Sequence, residues 1–168
     1  MTRIYISVGS NICPRENIPP ALDDLFRHFG PLTLSRVFES EAVGFDGDNF
    51  LNFVVACDSK LSLAETAATL RKMELAHGRA PNAQKFSSRT VDLDLLLFGE
   101  TQCQQPLVLP RPEIRFNAFV LWPLAELAPE LVMPGDDAPL SQLWQDFDKT
   151  QQKLWPVEFH WSPSGDMQ

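Results

Sequence analysis

Two acidic residues, Asp92 and Asp94, stand two positions apart in a segment that is otherwise apolar from Val91 to Phe98. The segment is leucine-rich and suits a buried strand, in which side chains at positions i and i+2 point to the same face. Two neighbouring carboxylates in apolar surroundings repel each other and lose hydration, so a positive partner must offset their charge. Magnesium is the simplest candidate, because it prefers a few carboxylate oxygens together with substrate phosphates. Pairing with arginine or lysine at a strand end is the alternative.

Basic residues surround this acidic pair, although the protein as a whole is acidic. The net charge of −8 argues against non-specific binding of nucleic acid. Cations nevertheless bracket the acidic strand, and Arg89 is close enough in sequence to reach a phosphate beside a metal ion. This pattern favours a compact anionic ligand, and a solvated mixed-charge surface is the alternative. The bracketing cations are Arg71, Lys72, Arg79, Lys85, Arg89, Arg111 and Arg115.

The length and composition predict one domain over residues 1–168, with 141–168 as a packed C-terminal extension. At 168 residues, 44% of them hydrophobic, the chain can bury a single sizeable core. It contains no apolar run near 18 residues and no signal-peptide pattern, so we expect no membrane partner and a cytoplasmic location. Cys13, Cys57 and Cys103 lack metal-ligand spacing and are typical of reduced thiols. The sequence does not fix the oligomeric state, and a monomer is plausible.

Hydrophobic periodicity predicts the order strand, helix, strand, strand, helix, strand. That order is typical of an α+β fold with a ferredoxin-like antiparallel sheet, helices packed on it, and here extra C-terminal elements. A capping box that starts at Ser62 opens the second helix. Strands are expected at 3–9, 32–40, 50–58, 91–98 and 102–109, helices at 16–28, 62–77 and 118–127, and a loop at 79–88.

Five stretches between residues 3 and 134 resemble the motifs of one family, in the same order and without large gaps. They are Tyr5–Asn11, Asn49–Asn52, Glu74–Arg79, Arg89–Asp94 with the pattern R-T-x-D-x-D, and Leu121–Glu126. The family is 6-hydroxymethyl-7,8-dihydropterin pyrophosphokinase, of the folate pathway. The resemblance implies transfer of the β,γ-pyrophosphoryl group of ATP to the pterin hydroxymethyl oxygen, which gives AMP.

The resemblance also implies roles for individual residues, with ATP and a dihydropterin as the small-molecule partners. Two Mg²⁺ ions held by Asp92 and Asp94 would bridge the triphosphate oxygens and lower the pKa of the attacking hydroxyl. The implied catalytic residues are Arg89, Asp92, Asp94 and Arg111. Implied for ATP binding are Glu74, Arg79, Arg89, Arg111 and Arg115, and for pterin binding Ser40, Val43, Phe50, Asn52, Phe86 and Phe119.

The phosphate-binding segments depart from the family pattern. Loss of an arginine that stabilises transferred charge can cost about 10³-fold in rate, by analogy with arginine fingers. Arg111 and Arg115 keep charge in the same loop, and we expect them to substitute as exposed cations. Two alternatives stay open: a paralogue with another pterin substrate, and a non-catalytic protein that binds a pterin or nucleotide. The departures that replace arginine or threonine are Pro81, Pro106, Val108 and Asn117.

Overall fold

A six-stranded antiparallel sheet with helices on both faces organises the chain, as seen in a computed structural model. The structure describes residues 1–41, 48–77, 90–150 and 152–163. The strands are β1 (Thr2–Ser10), β2 (Thr33–Leu34), β3 (Val37–Ser40), β4 (Phe50–Ser59), β5 (Asp92–Phe98) and β6 (Leu154–Val157). The helices are α1 (Pro14–Phe29), α2 (Leu63–Ala76), α3 (Ala118–Leu127) and α4 (Leu140–Asp146), with a 3₁₀ turn at Pro112–Arg115.

The strand order is β5-β1-β4-β3-β6, and β2 also pairs with β4. Without β6, this is the split β-α-β arrangement, in which the first strand (β1) and the last strand (β5) are neighbours in the sheet. The ferredoxin-like α+β fold predicted from the element order is therefore confirmed. The capping box is also present, because the Ser62 hydroxyl accepts a hydrogen bond from the Glu65 N–H while the Glu65 carboxylate accepts one from the Ser62 N–H.

Two predicted strands differ from the structure. The segment expected at 32–40 is divided at Ser35, whose hydroxyl accepts a hydrogen bond from the Val54 N–H at 2.9 Å in place of a main-chain carbonyl. The strand expected at 102–109 is wrong, since only Cys103 and Leu109 form a bridge, and they pair with each other. Pro106 lies between them and has no N–H for a strand ladder, so the segment closes on itself instead of joining the sheet.

Each face of the sheet packs against its own helical layer. Alternate residues of the central strands, among them Ile6 and Val55, pack with α1 and α2 in a first core. The opposite face, which includes Val54 and Leu96, packs with α3 and α4 in a second core. Because side chains alternate along a strand, each strand residue can be assigned to one of these two faces.

A β-bulge in β5 adjusts this alternation near the acidic residues. Tyr5 pairs with Leu97 and Ile6 with Leu95, so Leu96 is an extra residue on β5. As a result Leu95 packs in the first core while Leu96 and Leu97 both pack in the second. A bulge interrupts the regular ladder and leaves main-chain groups for other partners.

The C-terminal extension, expected as a packed segment over 141–168, has regular secondary structure. It contains α4, and β6 adds to the open edge of β3 in antiparallel pairing. Its last described residues cross to α1, where the Trp161 indole N–H donates to Asp23 Oδ1 at 3.0 Å. None of the helices in the described ranges combines the length and apolar composition that a membrane span requires.

The three cysteines are free, and their environments differ. Cys57 is fully buried in the first core, and that burial raises the pKa of its thiol to about 12. A thiol with such a pKa stays protonated at neutral pH and is a poor nucleophile. Cys57 is therefore a core residue and not a catalytic group.

Candidate active site

The strand register aligns the predicted metal and pterin residues across three strands. Asn52 on β4 lies opposite Gly9 on β1, and Gly9 lies opposite Asp92 on β5. In the adjacent row on the same face, Ser7 lies between Val54 and Asp94. Directly paired residues of antiparallel strands present their side chains on the same face. Asn52, Asp92 and Asp94 therefore share the face on which α3 packs, just beyond the end of the second core.

A third carboxylate joins the predicted acidic pair. Glu74, near the end of α2, offers an oxygen that lies within 4.8 Å of carboxylate oxygens of Asp92 and Asp94. Its side chain is 4% exposed, and its Oε2 accepts a hydrogen bond from the Leu93 N–H at 2.9 Å. Because β5 is an edge strand, this N–H lies on the side away from β1, where α2 can reach it. We refer to Glu74, Asp92 and Asp94 as the carboxylate cluster.

The family resemblance implied that Glu74 binds the nucleotide and did not reveal its place in this cluster. The available signal was a glutamate at the end of a helix that directly precedes the acidic strand in the chain. Its position depends on how α2 crosses the edge of β5, which periodicity alone does not reveal. Arg71, one turn earlier on α2, places its guanidinium 3.8 Å from Glu74 and offsets part of the cluster's negative charge.

Arg111 is held against the bulge of β5. Its main-chain N–H donates to the Leu96 carbonyl at 3.0 Å, and its Nε–H donates to the Leu95 carbonyl at 2.9 Å. The end of its guanidinium group lies 3.9 Å from Asp94 Oδ1 and 3.5 Å from Glu113 Oε2. Arg111 is therefore a fixed cation beside the carboxylate cluster, and the expectation of an exposed cation is wrong at this position, since only 24% of its side chain is accessible.

Arg115 has a different environment. Its guanidinium pairs with Asp136 at 2.8 Å and is 53% exposed. It borders a cavity of about 420 Å³ between the start of α3 and the extension, and none of the cavity's lining residues belongs to the carboxylate cluster. The two arginines expected to substitute for missing family residues are thus held by different partners.

The predicted pterin residues on β3 and β4 form a polar corner on the same face. The Asn52 side-chain N–H₂ donates to Ser40 Oγ at 3.2 Å, and both residues are at least nine-tenths buried. This bond uses one of the two amide donors of Asn52, so the second donor and the carbonyl can serve a ligand. Phe50 lies opposite Ser40 and is half-buried, and Phe119 near the start of α3 packs against the second core.

Gly9 makes this corner possible. A Cβ atom at Gly9 would lie 2.7 Å from Asn52 Oδ1, which is closer than real Cβ atoms approach an oxygen. The Asn52 carboxamide therefore extends over β1 only because position 9 lacks a side chain. The sequence marked Gly9 only as part of the Tyr5–Asn11 motif and gave no sign of this close approach.

We expect Gly9→Ala to impair pterin binding while the protein still folds. The added methyl group must displace the Asn52 carboxamide and break its bond to Ser40, which should raise the KM for the pterin about tenfold. Steady-state kinetics with the pterin varied at saturating ATP measures the effect.

Asn52→Ala supplies the control for this prediction through a double-mutant cycle. If Gly9→Ala acts by displacing Asn52, it should cause little further change in the Asn52→Ala background. Equal effects of Gly9→Ala in both backgrounds would contradict the explanation.

Four of the expected site residues cannot be compared with the structure. Val43, Arg79, Phe86 and Arg89 lie outside the described residues, as does the whole loop expected at 79–88. Among the described positions, the structure forms two groups on the same side of the sheet. Glu74, Asp92, Asp94 and Arg111 lie together at β5. Ser40, Phe50 and Asn52 lie together at β3 and β4.

The carboxylate cluster has the chemistry of a cation site. Three carboxylates supply hard oxygen atoms close enough to share one ion, and partial exposure of Asp92 and Asp94 leaves room for waters or phosphates. The neighbouring Arg111 suits phosphate oxygens, because a guanidinium group donates a fork of hydrogen bonds. Fold and site together are those of an α+β protein in which a carboxylate cluster that could hold a cation lies beside an arginine suited to phosphate.

Comparisons with known proteins identify the family. The model of the 7,8-dihydro-6-hydroxymethylpterin-pyrophosphokinase (HPPK) family matches residues 5–129. A 2-amino-4-hydroxy-6-hydroxymethyldihydropteridine pyrophosphokinase of Pseudomonas aeruginosa is 39% identical over 137 residues, which are 79% of this chain and 84% of the relative. A protein of the same name from Synechocystis is 35% identical over 151 residues, with 84% and 76% covered.

Solved structures agree on the fold. Two structures of HPPK-DHPS from Plasmodium falciparum match 86% of this chain with TM-scores of 0.66 and 0.70, each at 10% identity. The chain spans less than half of those longer proteins, 43% and 41%, and at this identity the likeness shows the fold alone.

The chain belongs to the HPPK family, as the resemblance of its five motifs predicted. A pyrophosphokinase takes its pyrophosphoryl group from ATP, so ATP as co-substrate is confirmed with the family. The match ends at residue 129, and the extension with α4 and β6 lies beyond it.

Proposed function

We propose that this protein transfers pyrophosphate from ATP to the hydroxymethyl group of 6-hydroxymethyl-7,8-dihydropterin, a step of folate biosynthesis. The observation that carries the proposal is the row Asn52–Gly9–Asp92, which joins a polar corner suited to a pterin with a carboxylate cluster suited to metal-bound phosphates. Substrate groups bound at the two ends of this row would lie on one face of one sheet. Such proximity favours transfer between them.

We assign the metal site to Asp92 and Asp94, which would hold two Mg²⁺ ions. The residues fit this role because their carboxylates, with that of Glu74, converge within 4.8 Å and supply the oxygen ligands that magnesium prefers. The ions, when bound, neutralise phosphate charge and lower the pKa of the attacking hydroxyl. Glu74 would support the site by fixing the main chain at Leu93, between the two aspartates.

The proposed reaction needs no covalent intermediate with the protein. The pterin hydroxymethyl oxygen forms a bond to the β-phosphorus of ATP, and the bond from that phosphorus to the α,β-bridging oxygen breaks. AMP leaves with that electron pair, and the hydroxyl proton passes to solvent. Arg111 would donate to the phosphate oxygens during transfer, and Arg89 has the same role by resemblance to the family.

The pterin would bind at the polar corner. Asn52 supplies a donor and an acceptor to the amide edge of the ring, and Ser40 orients Asn52. Phe50 and Phe119 are assigned to the faces of the ring, because aromatic side chains stack on planar heterocycles. We also assign Arg115 to the outer part of the nucleotide site, where its exposed charge would have a weaker influence than that of Arg111.

Further parts of the proposal concern the whole molecule. We propose one domain with residues 141–168 as an integral extension, because β6 pairs with β3 of the central sheet. The charge of −8 supports small-molecule partners and not nucleic acid. A cytoplasmic monomer is the proposed form, and size-exclusion chromatography with light scattering tests its oligomeric state.

A pterin panel tests the proposed substrate. Purified protein with MgATP should form AMP with 6-hydroxymethyl-7,8-dihydropterin and much more slowly with pterins altered at the amide edge, which Asn52 would recognise. Faster AMP formation with another pterin would favour the paralogue, and binding without AMP formation for every pterin would favour the non-catalytic alternative. No observation in the described residues favours either alternative.

A further inference from the structure

The start of α3 is capped by a residue from the extension. Within the described chain, the N-cap residue Asn117 makes no side-chain capping bond. Instead Gln152 Oε1 accepts a hydrogen bond from the Ala118 N–H at 2.6 Å, and Gln152 Nε2 donates to the Phe116 carbonyl at 3.1 Å. One side chain therefore satisfies a main-chain donor of the first helical turn and a main-chain acceptor just before it.

The backbone of this junction explains why a carboxamide fits. Asn117 is extended, with φ −115° and ψ 114°, so the Phe116 carbonyl and the Ala118 N–H point to the same side. A primary amide places an acceptor oxygen beside a donor NH₂ group, so one side chain can bond to both main-chain groups. The N–H and carbonyl of Asn117 itself bond to Glu113 and to the N–H of Leu121.

The Gln152 contact holds the C-terminal end of a short segment that begins at Arg111. The N-terminal end of that segment is held by β5, the strand that carries Asp92 and Asp94. We call residues 111–117 the transfer segment. Arg111 attaches its start to β5 through the carbonyls of Leu95 and Leu96, and Gln152 attaches its end. The extension and the strand that carries the carboxylate cluster thus hold the two ends of the same segment.

Packing is incomplete at the Gln152 end of the transfer segment. Phe116 is 56% exposed. Together with Gln152 it borders the cavity of about 420 Å³, so the segment has open space beside it. Ala118 itself is buried, so the two hydrogen bonds of Gln152 act together with packing to hold the main chain between Phe116 and Ala118.

We propose that Gln152 is a positioning residue for the pterin: it fixes Ala118 and thereby the neighbouring Phe119 ring. This inference rests on the proposed function, because it requires Phe119 to contact the substrate. It concerns a part of the chain that lies beyond the match to the family model, which ends at residue 129. The extension would then contribute to substrate recognition as well as to the sheet.

Gln152→Met tests the proposal, with Gln145→Met as the matched control. Methionine has a similar length but neither amide hydrogen bond, and Gln145 is an exposed glutamine on α4 of the same extension. Gln152→Met should raise the KM for the pterin about tenfold and leave the KM for MgATP within about twofold of wild type. Gln152→Asn, shorter by one methylene, should behave similarly because it cannot reach both groups. Gln145→Met should change neither constant.

The split between the two KM values separates positioning from general destabilisation. Partial unfolding lowers the active fraction, and therefore kcat, without changing either KM. An activity-independent readout is amide hydrogen exchange at Ala118, which should accelerate in Gln152→Met and not in Gln145→Met. Two outcomes would overturn this inference and leave the proposed function intact. One is unchanged exchange at Ala118 in Gln152→Met. The other is an active enzyme in which both methionine variants have equal KM values for the pterin. A wild-type protein that makes no AMP with any pterin would overturn the proposed function and, with it, this inference.

Discussion

Replacing Asp92 and Asp94 together by asparagine is expected to lower turnover at least about 10³-fold while the fold persists. A bound metal supplies several kcal/mol of charge stabilisation to phosphoryl transfer, and amides are poor substitutes for carboxylate ligands. The substitution is nearly isosteric and removes like-charge repulsion with Glu74, so the metal-free protein should be at least as stable as wild type. AMP production and thermal melting without magnesium measure the two effects.

Asp137→Asn is the control for this prediction, because Asp137 is an exposed aspartate far along the chain from the cluster. It should leave turnover unchanged. Calorimetric titration with magnesium and a non-hydrolysable ATP analogue should show weaker binding only for the cluster variant. A double variant that makes AMP at the wild-type rate would show that the metal assignment is wrong.

The second large effect is expected from Arg111→Ala, which should lower kcat/KM about 10²-fold to 10³-fold. The guanidinium lies 3.9 Å from Asp94 and is directed by its bond to Leu95, so it is placed for phosphates bound at the cluster. Loss of that bond should also lower the free energy of unfolding by about 1 kcal/mol. Arg111→Lys should recover only part of the activity, because lysine keeps the charge but not the fork of donors.

Arg115→Ala provides the comparison within the same transfer segment. Its side chain is 53% exposed and pairs with Asp136, so the substitution should cost little stability and less activity than Arg111→Ala. Equal losses of kcat/KM for both alanine variants would favour the expectation from the sequence that both arginines substitute for the missing family residues. Full activity of Arg111→Ala would remove it from the proposed transfer machinery.

The sequence predicted the central architecture because that architecture depends on local patterns. Alternation and capping signals located β1, β4, β5 and α2, and their order identified the ferredoxin-like sheet before any contact was known. Asp92 and Asp94 were recognisable for the same reason, since a period of two places both on one face wherever the strand lies.

Features that depend on long-range contacts were missed. Glu74 joins the cluster only because α2 crosses the edge of β5, and the importance of Gly9 depends on which strand lies beside it. In the extension, β6 contains Pro156, which lacks a donor and argues against a central strand, yet it pairs at the edge of the sheet. The Gln152 contact joins residues 34 positions apart in sequence.

Product analysis by ³¹P NMR tests the central claim most directly. The wild-type protein, incubated with MgATP and 6-hydroxymethyl-7,8-dihydropterin, should yield AMP and a pterin diphosphate ester in equal amounts. The variant with asparagine at both Asp92 and Asp94 should yield neither at a comparable rate. Formation of ADP with a pterin monophosphate would contradict pyrophosphoryl transfer. Formation of the diphosphate ester by the asparagine variant at the wild-type rate would contradict transfer at the carboxylate cluster.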